Sequence, residues 1–154
     1  MRRFQSDLEL VIKVHNEVRD NLYPTPSPEA HMMNENTLVR LSALLEAYGW
    51  DSNAQRKKVE KARAAGQPAV TPSTSCGEIA AMTLQYLRNL VVHKDHGLFK
   101  RITRSPWWEA FRAFSKDHPD VEVAEGEPIC LAGEAVLQPL VNGLIKWAEE
   151  NGQL

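Results

Sequence analysis

The sequence predicts an all-α protein, a single bundle of five or six helices in one domain over residues 1–154. Three observations predict it. Apolar residues recur at three- and four-residue steps through most of the chain, the spacing that lines one side of a helix. Capping signals, a Ser or Asn ahead of a periodic run, open several of these stretches. An apolar fraction of 43% and a charged fraction of 25% are those of a globular chain, and 154 residues can bury a core without disulfides or a structural metal.

Taken in order, a first helix runs from Ser6 to about Leu22, with Leu8, Val11, Ile12, His15, Val18, Arg19 and Leu22 as its stripe. Tyr23-Pro24-Thr25-Pro26-Ser27-Pro28 follows; its three prolines favour an extended connection. Asn36 caps a second helix carrying Leu38, Leu41, Leu44, Leu45 and Tyr48, closed by Gly49. Ser52-Asn53-Ala54-Gln55 opens a third, polar on nearly every side. Gly66 to Thr74, with Pro68 and Pro72, is a loop. Ser75-Cys76-Gly77-Glu78 starts a fourth helix whose core face is Ile79, Met82, Thr83, Tyr86 and Leu90, with Gly97 as a stop signal. Ser105-Pro106 starts a helix from Trp107 to about Ser115. Val121 to Leu131 is a loop or a short hairpin, and a last amphipathic helix covers roughly Gly133 to Glu150, bent at Pro139.

Composition narrows the function classes. The two cysteines, Cys76 and Cys130, are far apart and in no metal-ligand pattern, which points to reduced, buried thiols. No apolar run approaches the roughly 18 residues of a membrane span. Asp7, Glu9 and Lys13 interrupt the stretch after MRRF, so no signal peptide is expected and the expected location is cytoplasmic. Charge is unevenly placed. Residues 88–116 hold seven basic side chains against two acidic, and residues 117–154 hold one against eight. The basic segment suits either a polyanion partner or a solvated helix face.

Inside that basic segment lies Arg88-Asn89-Leu90-Val91-Val92-His93. Ten arginines and five histidines in a chain this long make an Arg-to-His spacing of five to seven residues expected about once by composition alone. Arg112 and His118 are indeed a second match. Context separates the two. Arg88 and the polar Asn89 interrupt an apolar helix, and His93 falls near its end; Arg112 is followed by Ala113, and His118 precedes Pro119.

RNLVVH resembles the R-(N/D/H)-x-x-x-H signature of the HEPN superfamily, all-α domains that include many metal-independent ribonucleases of defence and toxin–antitoxin systems. Arg88, Asn89 and His93 match it residue by residue. One subgroup, paired with nucleotidyltransferase antitoxins, has a tyrosine two places after the histidine; Asp95 stands there in this chain, which argues against that subgroup. The resemblance implies an endoribonuclease needing no metal or other cofactor, acting as a homodimer on RNA, and a neutralising antitoxin as a further partner.

The residue types suit that chemistry. Metal-free cleavage uses the adjacent 2′-OH as nucleophile, so it needs proton transfer and a cation for the charge growing on the phosphate. A histidine titrates near neutrality, and an arginine fork meets two phosphate oxygens at once. Asn89, four residues before His93, shares its helix face and can orient the ring. Arg88 and His93, five apart, point roughly 140° away from each other on a straight helix. Either the chain unwinds before His93 or the site is composite across a two-fold axis; the resemblance implies the composite form.

Lys94, His96, Lys100, Arg101 and Arg104 are candidate RNA-phosphate contacts. Trp107 and Trp108 suit either base stacking or the core, and His15 suits the core of the first helix's apolar stripe. No histidine–carboxylate cluster has metal-ligand spacing and no glycine-rich phosphate loop is present. The alternative to a nuclease is a non-catalytic helical binding protein: an antitoxin, an immunity protein or an RNA-binding module. A regulatory bundle, its basic segment meeting its acidic one, is a third reading.

Overall fold

The computed structural model describes residues 3–92, 105–119 and 136–153, and among them there are six helices and no strand. These are α1 (Arg3–Leu22), α2 (Pro28–Ala47), α3 (Ser52–Ala64), α4 (Cys76–Val92), α5 (Trp108–Asp117) and α6 (Leu137–Glu150). The all-α bundle expected from periodicity is therefore what forms. The loop or hairpin expected over 121–131 lies outside the described residues.

α1 starts earlier than Ser6 because Phe4 belongs to its stripe. Phe4, Leu8, Ile12 and His15, spaced three and four apart, are the buried positions, whereas Leu22 at the far end is exposed. Phe4 packs its ring against Tyr48 and Trp147, with centroids 4.7 and 5.8 Å away.

α2 starts two turns before Asn36, and this corrects the expected boundary. Ser27 has extended backbone (φ −160°, ψ 165°) and its hydroxyl accepts from the Ala30 N–H at 3.0 Å. Pro28 follows in the first turn, where a missing N–H removes no helical bond. A cap of this kind contributes about 1 kcal/mol. Proline breaks a helix interior but opens one, so only Pro24 and Pro26 belong to the connection. At the other end Gly49 (φ 109°) allows a Schellman closure: Trp50 N donates to Leu45 O (3.2 Å) and Gly49 N to Glu46 O (3.1 Å).

Next to that closure, the Tyr48 hydroxyl donates to Asp7 Oδ2 at 2.6 Å and ties α2 to α1. This bond, with burial and the Asp7 charge as smaller contributions, raises the Tyr48 pKa above the ordinary 10.0, while Arg3 pulls it the other way. A folded-state pKa raised in this way gives stability that is complete below pH 10 and lost as pH rises through the raised value. In an ultraviolet titration, with Tyr48→Phe identifying the signal, Tyr48 should ionise above pH 10. Asp7→Asn should bring its midpoint down; an unmoved midpoint would show that Asp7 does not hold the phenol.

α3 is capped by Asp51 rather than Ser52: Asp51 Oδ1 accepts from the Ala54 N–H at 3.0 Å. Only Val59 on it is buried, as its polar surface leads one to expect. α5 begins at Trp108, after a turn in which Ser105 Oγ and O accept from Trp107 N and Trp108 N, both at 3.2 Å. Glu109 fastens this region to its surroundings. Its carboxylate accepts from Ala69 N at 2.8 Å and lies 3.8 Å from Arg63 Nε, while Arg63 Nη2 donates to Ser105 O at 2.8 Å. Within α6, Pro139 sits in the first turn, where an amide N–H would have no helical partner.

α4 departs most from expectation. The sequence suggests one core face, but Gly77, every residue from Ala80 to Leu87, and Leu90 are all buried. It is the central helix, packed against α2, α5 and α6, with α1 closing the circuit against α2 and α6. Ser75 caps it, accepting from Glu78 N at 3.1 Å and donating to Glu150 Oε2 at 2.7 Å. Only that half of the capping box forms, since the Glu78 carboxylate lies 3.5 Å from Lys58 Nζ.

Small residues let α6 come close. A Cβ on Gly77 would lie 2.5 Å from Trp147 N, and one on Gly143 would overlap the Ala80 methyl. α5 packs by aromatic contact instead, Tyr86 stacking on Phe111 at 4.7 Å and 17°. Trp107 is buried, 6.3 Å from Trp50 between centroids, and Trp108 is half-buried against Tyr86 and Phe111. The core reading of Trp107 therefore holds.

Cys76 is exposed, contrary to the expected buried thiol, because it is the first residue of α4 at the bundle's end; Cys130 lies outside the described residues. No helix among the described residues is long and apolar enough to cross a membrane.

Candidate functional site

The end of the central helix carries the only described part of the motif. α4 stays buried through Leu87, then turns polar, with Arg88 and Asn89 half-buried, Leu90 buried and Val92 exposed. In these last turns Leu90 is still buried and Val91 packs on the core, so the polar groups of Arg88 and Asn89 reach the surface while their stems stay half-buried. His93 and the candidate RNA contacts Lys94, His96, Lys100, Arg101 and Arg104 lie outside the described residues.

Arg88 and Asn89 touch. Arg88 Nη1 donates to Asn89 Oδ1 at 3.1 Å, and Gln85 Nε2 donates to the same oxygen at 3.0 Å. Gln85 is i−4 to Asn89, so the two stack on one helix face. The sequence pairs Asn89 with His93; in the structure its carbonyl is already held by Gln85 and Arg88, which leaves its amide N–H₂ for any further partner. Among the described residues no carboxylate pairs with Arg88. An arginine held by a neutral amide keeps its full charge available for an anion.

Gln85 is the residue that sequence reasoning missed. It is 6% exposed, and its Oε1 is buried without a hydrogen-bond partner. Leaving such an acceptor unsatisfied costs about 1–3 kcal/mol, so a leucine there would pack more cheaply. The one available signal was its polarity within the run Ala80–Leu87, which an apolar periodicity count passes over.

The rival pair is placed differently. Arg112 is exposed on α5, and His118, just beyond its end, stacks on Phe114 with ring centroids 4.6 Å apart. His15 is 1% exposed, with Nδ1 2.6 Å from the Thr37 hydroxyl, so it belongs to the packing of α1 on α2. Among the described residues no group of three or more His, Cys, Asp or Glu is placed to hold a metal ion. Comparison with protein-family models, with curated proteins and with solved structures gave no match.

Proposed function

We propose that the protein is a metal-independent endoribonuclease of the defence or toxin–antitoxin kind, with Arg88, Asn89 and His93 as its catalytic residues. The observation that carries the reading is the place of the motif's described residues: Arg88 and Asn89 stand in the last turns of the central helix, with Arg88 half-buried and bonded to Asn89. A packed helix holding near its end a guanidinium that no carboxylate among the described residues pairs with suits catalysis, because the cation is oriented before substrate arrives.

In this mechanism the 2′-oxygen attacks the adjacent phosphorus while a neutral histidine takes its proton. The P–O5′ bond breaks, and a protonated histidine returns a proton to O5′, leaving a 2′,3′-cyclic phosphate and a 5′-OH. Arg88 stabilises the charge on the non-bridging oxygens. Two histidines in opposite protonation states fit a homodimer in which each copy contributes one motif. Lys94, His96, Lys100, Arg101 and Arg104 would track the RNA backbone, and a neutralising antitoxin would restrain such an enzyme in its host.

The test is RNA cleavage in EDTA by wild type and His93→Ala. Cleavage with cyclic-phosphate ends, lost in the variant while folding and self-association persist, is the expected result. Cleavage unchanged by His93→Ala would sink the proposal. RNA binding without cleavage, equal in both proteins, would instead indicate a binding module.

A further inference from the structure

Arg88 dictates the orientation of the two amides beside it. A guanidinium only donates, so the Asn89 atom facing it at 3.1 Å has to be the oxygen. That oxygen also faces the Gln85 amide at 3.0 Å, so Gln85 presents its N–H₂ and turns its own carbonyl inward, where it has no partner. Gln85 thus holds Asn89 at the expense of its own acceptor, in the most buried helix of the molecule.

From this chain of bonds we infer that Gln85 is a positioning residue, acting through Asn89 to set the rotation of the Arg88 guanidinium. The contact uses Nη1. The edge formed by Nε and Nη2 carries two parallel N–H groups that make no hydrogen bond among the described residues, and it matches the two non-bridging oxygens of a phosphodiester. Holding Nη1 therefore presents the side-on fork to the anion and withholds the end-on pair. Gln85 lies too deep to touch a ligand; its effect passes through Arg88. The identity of the anion rests on the proposed nuclease reading, whereas the positioning itself does not.

Two measurements on the full chain separate these points. The first is the nitrogen NMR spectrum of the arginine side chains without RNA, where restricted rotation keeps the Arg88 Nη signals distinct. Gln85→Leu and Gln85→Glu, neither of which can donate to Asn89 Oδ1 when ionised or apolar, should merge those signals. Asn89→Ala, on the half-exposed surface, should do the same, and it serves if Gln85→Leu does not fold. Unmerged signals in a folded variant would overturn the inference.

The second is affinity for a 2′-O-methyl RNA oligonucleotide, which cannot be cleaved. Gln85→Leu should weaken binding about tenfold when Arg88 is present and leave it unchanged in an Arg88→Ala background. An equal loss in both backgrounds would mark a structural role and overturn the inference. Merged signals with unaltered affinity would uphold the positioning and refute the phosphodiester as the anion.

Discussion

On the proposed nuclease reading, Arg88→Lys is expected to lower single-turnover RNA cleavage about 10²–10³-fold, the cost of removing one donor from a site that stabilises developing charge. Binding of uncleavable RNA should change far less, because the positive charge remains. Lysine is a point charge on a flexible stem and cannot bond two phosphate oxygens from one rigid plane. It also reaches Asn89 Oδ1 differently, so the contact that anchors Nη1 at 3.1 Å is lost. A lysine variant cleaving at the wild-type rate would show that charge alone matters at position 88 and that the anchoring by Asn89 has no catalytic consequence.

Gly143→Ala is expected to destabilise the fold by about 1–3 kcal/mol through overpacking, lowering the melting temperature by roughly 2–4 °C for each of those kcal/mol. The new methyl would overlap that of Ala80, which is fixed to the α4 backbone and cannot turn aside. The cause can be isolated by rescue. Ala80→Gly removes the obstacle, leaving nothing nearer than 3.8 Å to the new Cβ, so the double variant should recover stability despite the helix penalty of glycine, about 1 kcal/mol. A double variant less stable than either single one would refute the steric account. Gly77→Ala should have no such remedy, because its obstacle is the backbone of Trp147 at 2.5 Å.

These two expectations draw on different kinds of legibility. The stripe of α1, the cap at Ser75 and the closure at Gly49 were readable because each is a relation among residues a few positions apart. The start of α2 was misplaced although its signal was equally local: Ser27-Pro28 is the same cap-and-first-turn pair as Ser105-Pro106, hidden at the end of a proline run. The Arg88–Asn89–His93 motif was visible as spacing and residue type. Its spacing carried no information about what Arg88 touches.

By itself the sequence determined the helical class, most helix boundaries, the polar character of α3 and the candidate motif, since periodicity and capping act within single turns of chain. Tertiary structure alone decided that α4 is the helix buried on every side, that Gly77 and Gly143 are the points where α6 meets it, and that Cys76 lies in the open. It also decided that Gln85, whose bond to Asn89 is local to one turn of α4, is buried there with its own carbonyl unsatisfied. The physical reason is the same in each case. Burial, close approach and the partner of a polar atom depend on which helices surround it, and residues distant along the chain settle that together.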